Sequence, residues 1–152
     1  MTVGVRPEAV VSCVYAFRDR FGSPLIVYLF PSRLSEPFVE RIVRALEVLL
    51  GEVEVRHEVV EEADIGEAAR VISGAIERLR GEGFRVAVDI TPGRKTMSIA
   101  AYKAAVESGA DLILYLHLKC REYESVIYPL IPKHCAQLVV LGGEGGAGEA
   151  QS

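Results

Sequence analysis

The apolar positions of this chain fall into short runs that switch between a strand-like and a helix-like period. Thr2–Val5 is a brief apolar run that predicts a strand, and Pro7–Phe21 follows with Val10, Cys13, Val14 and Phe17 on one helical face. Leu25–Phe30 is continuous, apolar and of strand length. Glu36–Leu50 predicts an amphipathic helix with Phe38, Ile42, Ala45, Leu46 and Leu49 inward, and Val53–Val60 alternates Val with charge as a half-buried strand does. Ile65–Arg80 carries Ala68, Ile72, Ile76 and Leu79 on one stripe. Arg85–Ile90 and Leu112–Leu118 bracket an Ala-rich helix, and Val126–Ile131 and Leu138–Leu141 predict two more strands. Strands alternating with helices predict an α/β fold, an open and mostly parallel sheet with helices on both faces. The helical runs stop after Leu118, which predicts an antiparallel C-terminal extension. One domain is expected over residues 1–141, followed by a Gly-rich, disordered tail over 142–152.

Composition narrows the chemistry. A chain of 152 residues, half of them apolar, can bury one real core. No apolar run approaches a membrane span and no charged-then-apolar leader opens the sequence, so a soluble, cytoplasmic protein is expected. The three cysteines, Cys13, Cys120 and Cys135, are an odd number without a C-x-x-C pair, which argues against a disulfide framework. A net charge of −4 disfavours binding to duplex nucleic acid but leaves room for a small anion held at one focal site. The absence of Asn, the two Gln and the excess of Arg over Lys fit a thermophile.

That focal site is predicted at Thr91-Pro92-Gly93-Arg94-Lys95-Thr96, where a buried strand turns into the Ala-rich helix. A helix start leaves N–H groups unpaired and partly positive, and Arg94 and Lys95 add two full charges there. Thr91 suits the N-cap and Pro92 the first helical position, where its missing N–H costs nothing. A second turn, Gly4-Val5-Arg6-Pro7, again combines Gly, a cation and Pro at a helix start. In a Rossmann-like strand order the two preceding strands are neighbours, so both turns line one crevice at the carboxyl ends of the sheet. The same residues also satisfy ordinary helix-start grammar with solvated cations.

The segment Asp89–Met97, DITPGRKTM, is similar to the D-x-T-G-G-T-K-x-M type of signature found in CARF domains, the CRISPR-associated Rossmann-fold ligand sensors. The opening Thr2–Val11, TVGVRPEAVV, resembles their first strand and loop, so the likeness runs from Thr2 to about Leu141. The resemblance implies a homodimer that binds a cyclic oligoadenylate, usually cyclic tetra-adenylate, across its two-fold axis in type III CRISPR signalling. It implies ligand contacts from Gly4, Val5 and Arg6 in the first loop, and from Thr91, Gly93, Arg94, Lys95, Thr96 and Met97 in the second. Pro92 departs from the family Gly and cannot donate an N–H, a loss that a bidentate Arg94 contact could offset. No effector domain is expected after the last strand, which points to a stand-alone member. One role of such members is the ring nuclease. There a ribose 2′-OH attacks the adjacent phosphate without a metal, leaving a 2′,3′-cyclic phosphate. Lys95, seconded by Arg6 or Arg94, is then expected to stabilise the phosphorane. A non-catalytic sensor, or a scaffold for a separate effector, is the alternative.

Other signals read more plainly. Asp89 is expected to pair with Lys95, Arg6 or another cation, or to accept from a ribose hydroxyl. Glu58, Glu61, Glu62, Asp64 and Glu67 read as a solvated helix entry. Lys119 and Arg121 suit either a crevice rim or a hairpin turn. Tyr102 and Lys103 lie on the Ala-rich helix, where a dimer face is conceivable. His117, Cys120, His134 and Cys135 are zinc-type donors, but neighbouring positions of an extended chain face opposite ways, so neither metal nor cofactor is expected. Gly143–Gly148 satisfies G-x-G-x-x-G without the following helix that a dinucleotide site needs.

Overall fold

The computed structural model describes residues 1–143. The glycine motif after Gly143 and the expected tail over 144–152 therefore lie outside the described residues. The elements are β1 (Thr2–Val3), α1 (Pro7–Phe21), β2 (Ile26–Pro31), α2 (Val39–Leu50), β3 (Glu54–His57), α3 (Ile65–Gly81), β4 (Ala87–Asp89), α4 (Lys95–Glu107), β5 (Leu112–Leu118) and β6 (Ala136–Gly142). β1, β2 and β3 form one parallel sheet, with β2 central. A second sheet has the order β4-β5-β6, its first pair parallel and its second antiparallel. The two sheets are joined by a side chain rather than a strand ladder: the Thr2 hydroxyl of β1 donates to the carbonyl of Pro92, in the turn after β4. The α/β class, the helices on both faces and the antiparallel C-terminal strand match the sequence pattern.

Alternation along the strands sorts the core. Val27 and Leu29 of β2 pack with Val10 and Val14 of α1 and with Ile42 and Leu46 of α2. The opposite face sends Ile26, Tyr28 and Phe30 toward Ile72 and Ile76 of α3, joined by Val88 of β4 and Ile113 of β5. α4 enters that layer through Ala100, Ala101, Ala104 and Ala105, small residues that let it lie close to α3. Among the described residues no helix is long and apolar enough to cross a membrane.

Two expectations of local structure fail for identifiable reasons. Val126–Ile131 is not a strand; it holds a 3-10 turn at Tyr128–Leu130. Pro129 and Pro132 lack the donors a ladder needs, and the Tyr128 N–H is spent on the Ser12 hydroxyl. The cysteines also depart from expectation, since Cys120 and Cys135 form a disulfide with Cα atoms 5.1 Å apart. Antiparallel pairing sets Leu118 against Ala136, and the Lys119 N–H donates to the Cys135 carbonyl, so the next residues are delivered to each other. Cys13 stays free and buried.

Candidate functional site

The two predicted turns do meet, and glycine is what allows it. Gly93 has φ of +97°, and a Cβ there would stand 2.7 Å from the Thr2 hydroxyl oxygen. A Cβ on Gly4 would come within 3.0 Å of the Gly93 Cα. The backbones of the first and second loops therefore touch, and any side chain at either position would push them apart.

The helix start lies three residues later than the sequence suggested. Thr91 is not the N-cap: its N–H donates to Asp89 Oδ1 and its hydroxyl accepts from the Leu116 N–H. Pro92 is not the first helical residue either; its side chain is fully buried and its carbonyl is held by Thr2. Arg94 occupies the N-cap in extended conformation and provides no side-chain cap, so helix α4 begins at Lys95. Its first turn carries no acid, whereas α1, α2 and α3 begin with Glu8, Glu40 and Glu67. An uncapped helix start without a carboxylate is a place for an anion. Ser98, one turn in, donates from its hydroxyl to the Ile90 carbonyl and fixes the helix to the end of β4.

The cations divide into two kinds. Arg6 pairs with Glu124 at 3.2 Å, and Arg94 with Glu62 at 2.9 Å. Lys95 is exposed and takes part in no salt bridge among the described residues. Val5 is exposed, Gly4 and Thr96 are half-buried, and Met97 is buried in the core, so no Met97 side-chain contact to a ligand is open. Glu62 and Glu124 were missed as site residues. Glu62 follows β3, which ends on the same side of the sheet as β1 and β4, and that topological fact was the available signal. Glu124 comes from a turn 118 residues away from Arg6, and no local pattern marks it. Lys119 and Arg121 begin the segment that carries Glu124.

Asp89 departs from its expected role. It is buried, and its Oδ2 has no hydrogen-bond partner. Burial raises its carboxyl above the ordinary range, while Thr91 and then the Met1 ammonium pull it back. Its charged neighbour is therefore the N-terminus, not Lys95 or Arg6. The Met1 ammonium donates to the Tyr28 carbonyl at 2.8 Å, and burial lowers it to about 6 despite Asp89. Burial, followed by the Asp89 charge, pushes the nearby Cys13 thiol up. These three groups adjoin a cavity of about 340 Å³ that runs alongside β2 and β4, from Pro24 and Phe84 up to Phe30 and Asp89, walled by Phe17, Phe21, Ile76, Leu79 and Phe84.

Away from the crevice, Cys120, His134 and Cys135 bring their donor atoms within 4.8 Å of one another. The expected divergence of 134 and 135 does not occur, because Lys133–Cys135 is a 3-10 turn and not an extended chain.

Solved structures with a similar fold include Can2 from Sulfobacillus thermosulfidooxidans in complex with cyclic tetra-adenylate, with a TM-score of 0.59 and 18% identity over 75% of this chain and 31% of that one. Protein VC1899 from Vibrio cholerae matches with a TM-score of 0.59 and 14% identity, over 75% of this chain and 30% of its own. The chain thus spans about a third of either neighbour, and the likeness is one of fold, the Rossmann-like architecture described above. No curated protein matches it. The family model for CRISPR-associated protein NE0113 matches residues 39–133, which include Glu62, the Thr91–Met97 turn and Glu124. That match covers well over half of the sequence, and the chain belongs to the CRISPR-associated NE0113 family.

Proposed function

We propose that the surface where the two turns meet binds a cyclic oligoadenylate, cyclic tetra-adenylate foremost, in type III CRISPR signalling, and that the protein does so as a homodimer. The observation that carries this reading is the start of α4. Lys95 stands unpaired beside N–H groups that no side chain caps, with Arg6 and Arg94 nearby on exchangeable carboxylate partners. A phosphodiester meets there a full charge, a helix dipole and two guanidinium groups released from Glu124 and Glu62. Membership of a CRISPR-associated family and a Can2-like fold, the latter solved with cyclic tetra-adenylate, support the choice of ligand. A two-fold ring fits a two-fold site. The partner face is α4 itself, whose Ile99, Tyr102 and Val106 are 56%, 45% and 57% exposed at helical spacing and run on from Lys95.

Ring opening is the finer part of the proposal. A ribose 2′-OH held in line with its phosphate needs orientation and charge, which Lys95 and Arg6 supply, and the product is a 2′,3′-cyclic phosphate. The alternative, a non-catalytic sensor or scaffold, uses the same contacts and leaves the ring whole. Incubation with labelled cyclic tetra- and hexa-adenylate, with and without EDTA, separates these outcomes. The ring-nuclease reading expects slow, EDTA-resistant cleavage, an intact 2′-deoxy analogue, and a Lys95→Met variant that loses turnover more than binding. A ring bound tightly and recovered whole after hours supports the sensor; no binding of either ring ends the proposal.

A further inference from the structure

The donor cluster at the end of the β5–β6 hairpin has a chemistry of its own. A disulfide needs two sulfurs, yet a third donor, the His134 ring, lies within 4.8 Å of both and is bound in no hydrogen bond or salt bridge among the described residues. Two sulfurs and one imidazole are a zinc donor set, and ligands on one tetrahedral zinc stand roughly 3.3–3.8 Å apart, given metal–ligand bonds of about 2.0–2.3 Å. Once the sulfur–sulfur bond is reduced, the three donors lie within about 1–1.5 Å of that spacing. We propose that Cys120, His134 and Cys135 form a thiol-dependent zinc site that alternates with the Cys120–Cys135 disulfide.

The backbone keeps the site assembled in either state. Leu118 is paired with Ala136, the Lys119 N–H donates to the Cys135 carbonyl at 2.7 Å, and the Cys135 N–H donates to the Pro132 carbonyl at 2.8 Å. None of these bonds depends on the sulfur–sulfur link, so reduction leaves two thiols and an imidazole already close together. Preorganisation of this kind removes most of the ordering cost of metal binding. Cys120 is half-buried and His134 exposed, which gives the ion and a reductant access, while Cys135 is buried and fixes one ligand.

The exchange balances with a dithiol as co-reactant. One thiolate of the dithiol attacks a cysteine sulfur, forming a mixed disulfide and expelling the other cysteine as thiolate. The second thiolate of the dithiol then closes a cyclic disulfide and releases the first cysteine. Two electrons pass from the dithiol to the protein. Zinc binding takes both cysteines as thiolates, releasing any protons they hold, with neutral His134 as third ligand and water in the fourth position.

The full chain, reduced with a dithiol and desalted without oxygen, tests this directly by native mass spectrometry and by cobalt substitution. The reduced protein is expected to take up a single zinc ion and to show a sulfur-to-cobalt charge-transfer band, while the oxidised protein does neither. An outer-shell change costs about 10–100-fold in affinity, so His134→Ala, which removes a ligand, is expected to cost at least that. His134 is exposed, so the variant should keep the wild-type circular dichroism and still form the disulfide. Reduced protein that retains no zinc, oxidised protein that binds it equally, or His134→Ala with unchanged affinity would each overturn the site.

Discussion

The crevice and the cavity contrast sharply. At the carboxyl ends of the strands, the two glycine turns are pressed against each other, and Lys95, Arg6 and Arg94 flank the contact. Alongside β2 and β4, phenylalanine, leucine and isoleucine wall a cavity of about 340 Å³. The larger space is the poorer candidate for a polyanion, because burying phosphates among apolar walls forfeits their hydration and gives nothing back. The crevice loses little, since its guanidinium groups only exchange one anion for another. Volume therefore marks the place where packing is loose, and charge at an uncapped helix start marks the place where chemistry is possible.

The sharpest way to break this contrast is to damage the crevice and the cavity separately. Gly93→Val introduces a β-branched residue at φ of +97° and a Cβ against Thr2. It is expected to cost about 2–4 kcal/mol in urea unfolding and to abolish ligand binding as well, because the turns separate. Ile76→Ala, at the cavity, is expected to cost about 2–5 kcal/mol while the folded fraction binds ligand as before. If Ile76→Ala lost affinity and Gly93→Val kept it, the roles of crevice and cavity would be reversed.

The cavity has its own signature in pH. The Met1 ammonium falls from 8.0 in the open chain to about 6 when folded. Between those values the unfolded chain binds more protons, so stability rises with pH across the window and is lost as pH falls through about 6. A shift of this size corresponds to something on the order of 2–3 kcal/mol. Asp89, raised by burial, acts in the opposite sense: its contribution is full at acid pH and fades as pH climbs through its folded value. Acetylating the N-terminus is expected to remove the Met1 slope, and melts of both forms at several pH values read it directly. An identical slope in the acetylated chain would assign it elsewhere.

Much of the framework could be read from the sequence, because helix starts and buried strands are local. Pro7 opens α1 and Gly22 follows its end, and the continuous apolar run Leu112–Leu118 is β5 to the residue. The errors came where distant groups decide. α4 starts at Lys95 because Thr91 and Pro92 are drawn into the sheet edge by Leu116 and Thr2, partners far away in the chain. Glu62 looked like a solvated acid until folding set it against Arg94. The cysteines looked unpaired because the hairpin register that joins them is a tertiary fact. The Gly4 and Gly93 requirement, by contrast, was visible as two glycine turns, though their mutual contact was not.

The smallest effect refines the crevice alone. Glu124 and Arg6 are about half-exposed, and such a pair is worth about 0–1 kcal/mol. Glu124→Gln is therefore expected to leave stability nearly unchanged and to tighten ligand binding by a few-fold at most, since Arg6 no longer has to be released. Weaker binding in this variant would make Glu124 a ligand contact rather than a competitor.

The central claim, that the start of α4 is the anion site, rests most directly on calorimetric titration of cyclic tetra-adenylate into the wild-type protein and Lys95→Ala. Wild type is expected to saturate at one ring per pair of chains. Lys95→Ala, with an unchanged melting temperature, is expected to bind more than tenfold more weakly, because a charge-assisted hydrogen bond is worth about 1.5–3 kcal/mol and the dimer loses it twice. Equal affinity in the two proteins would contradict the account.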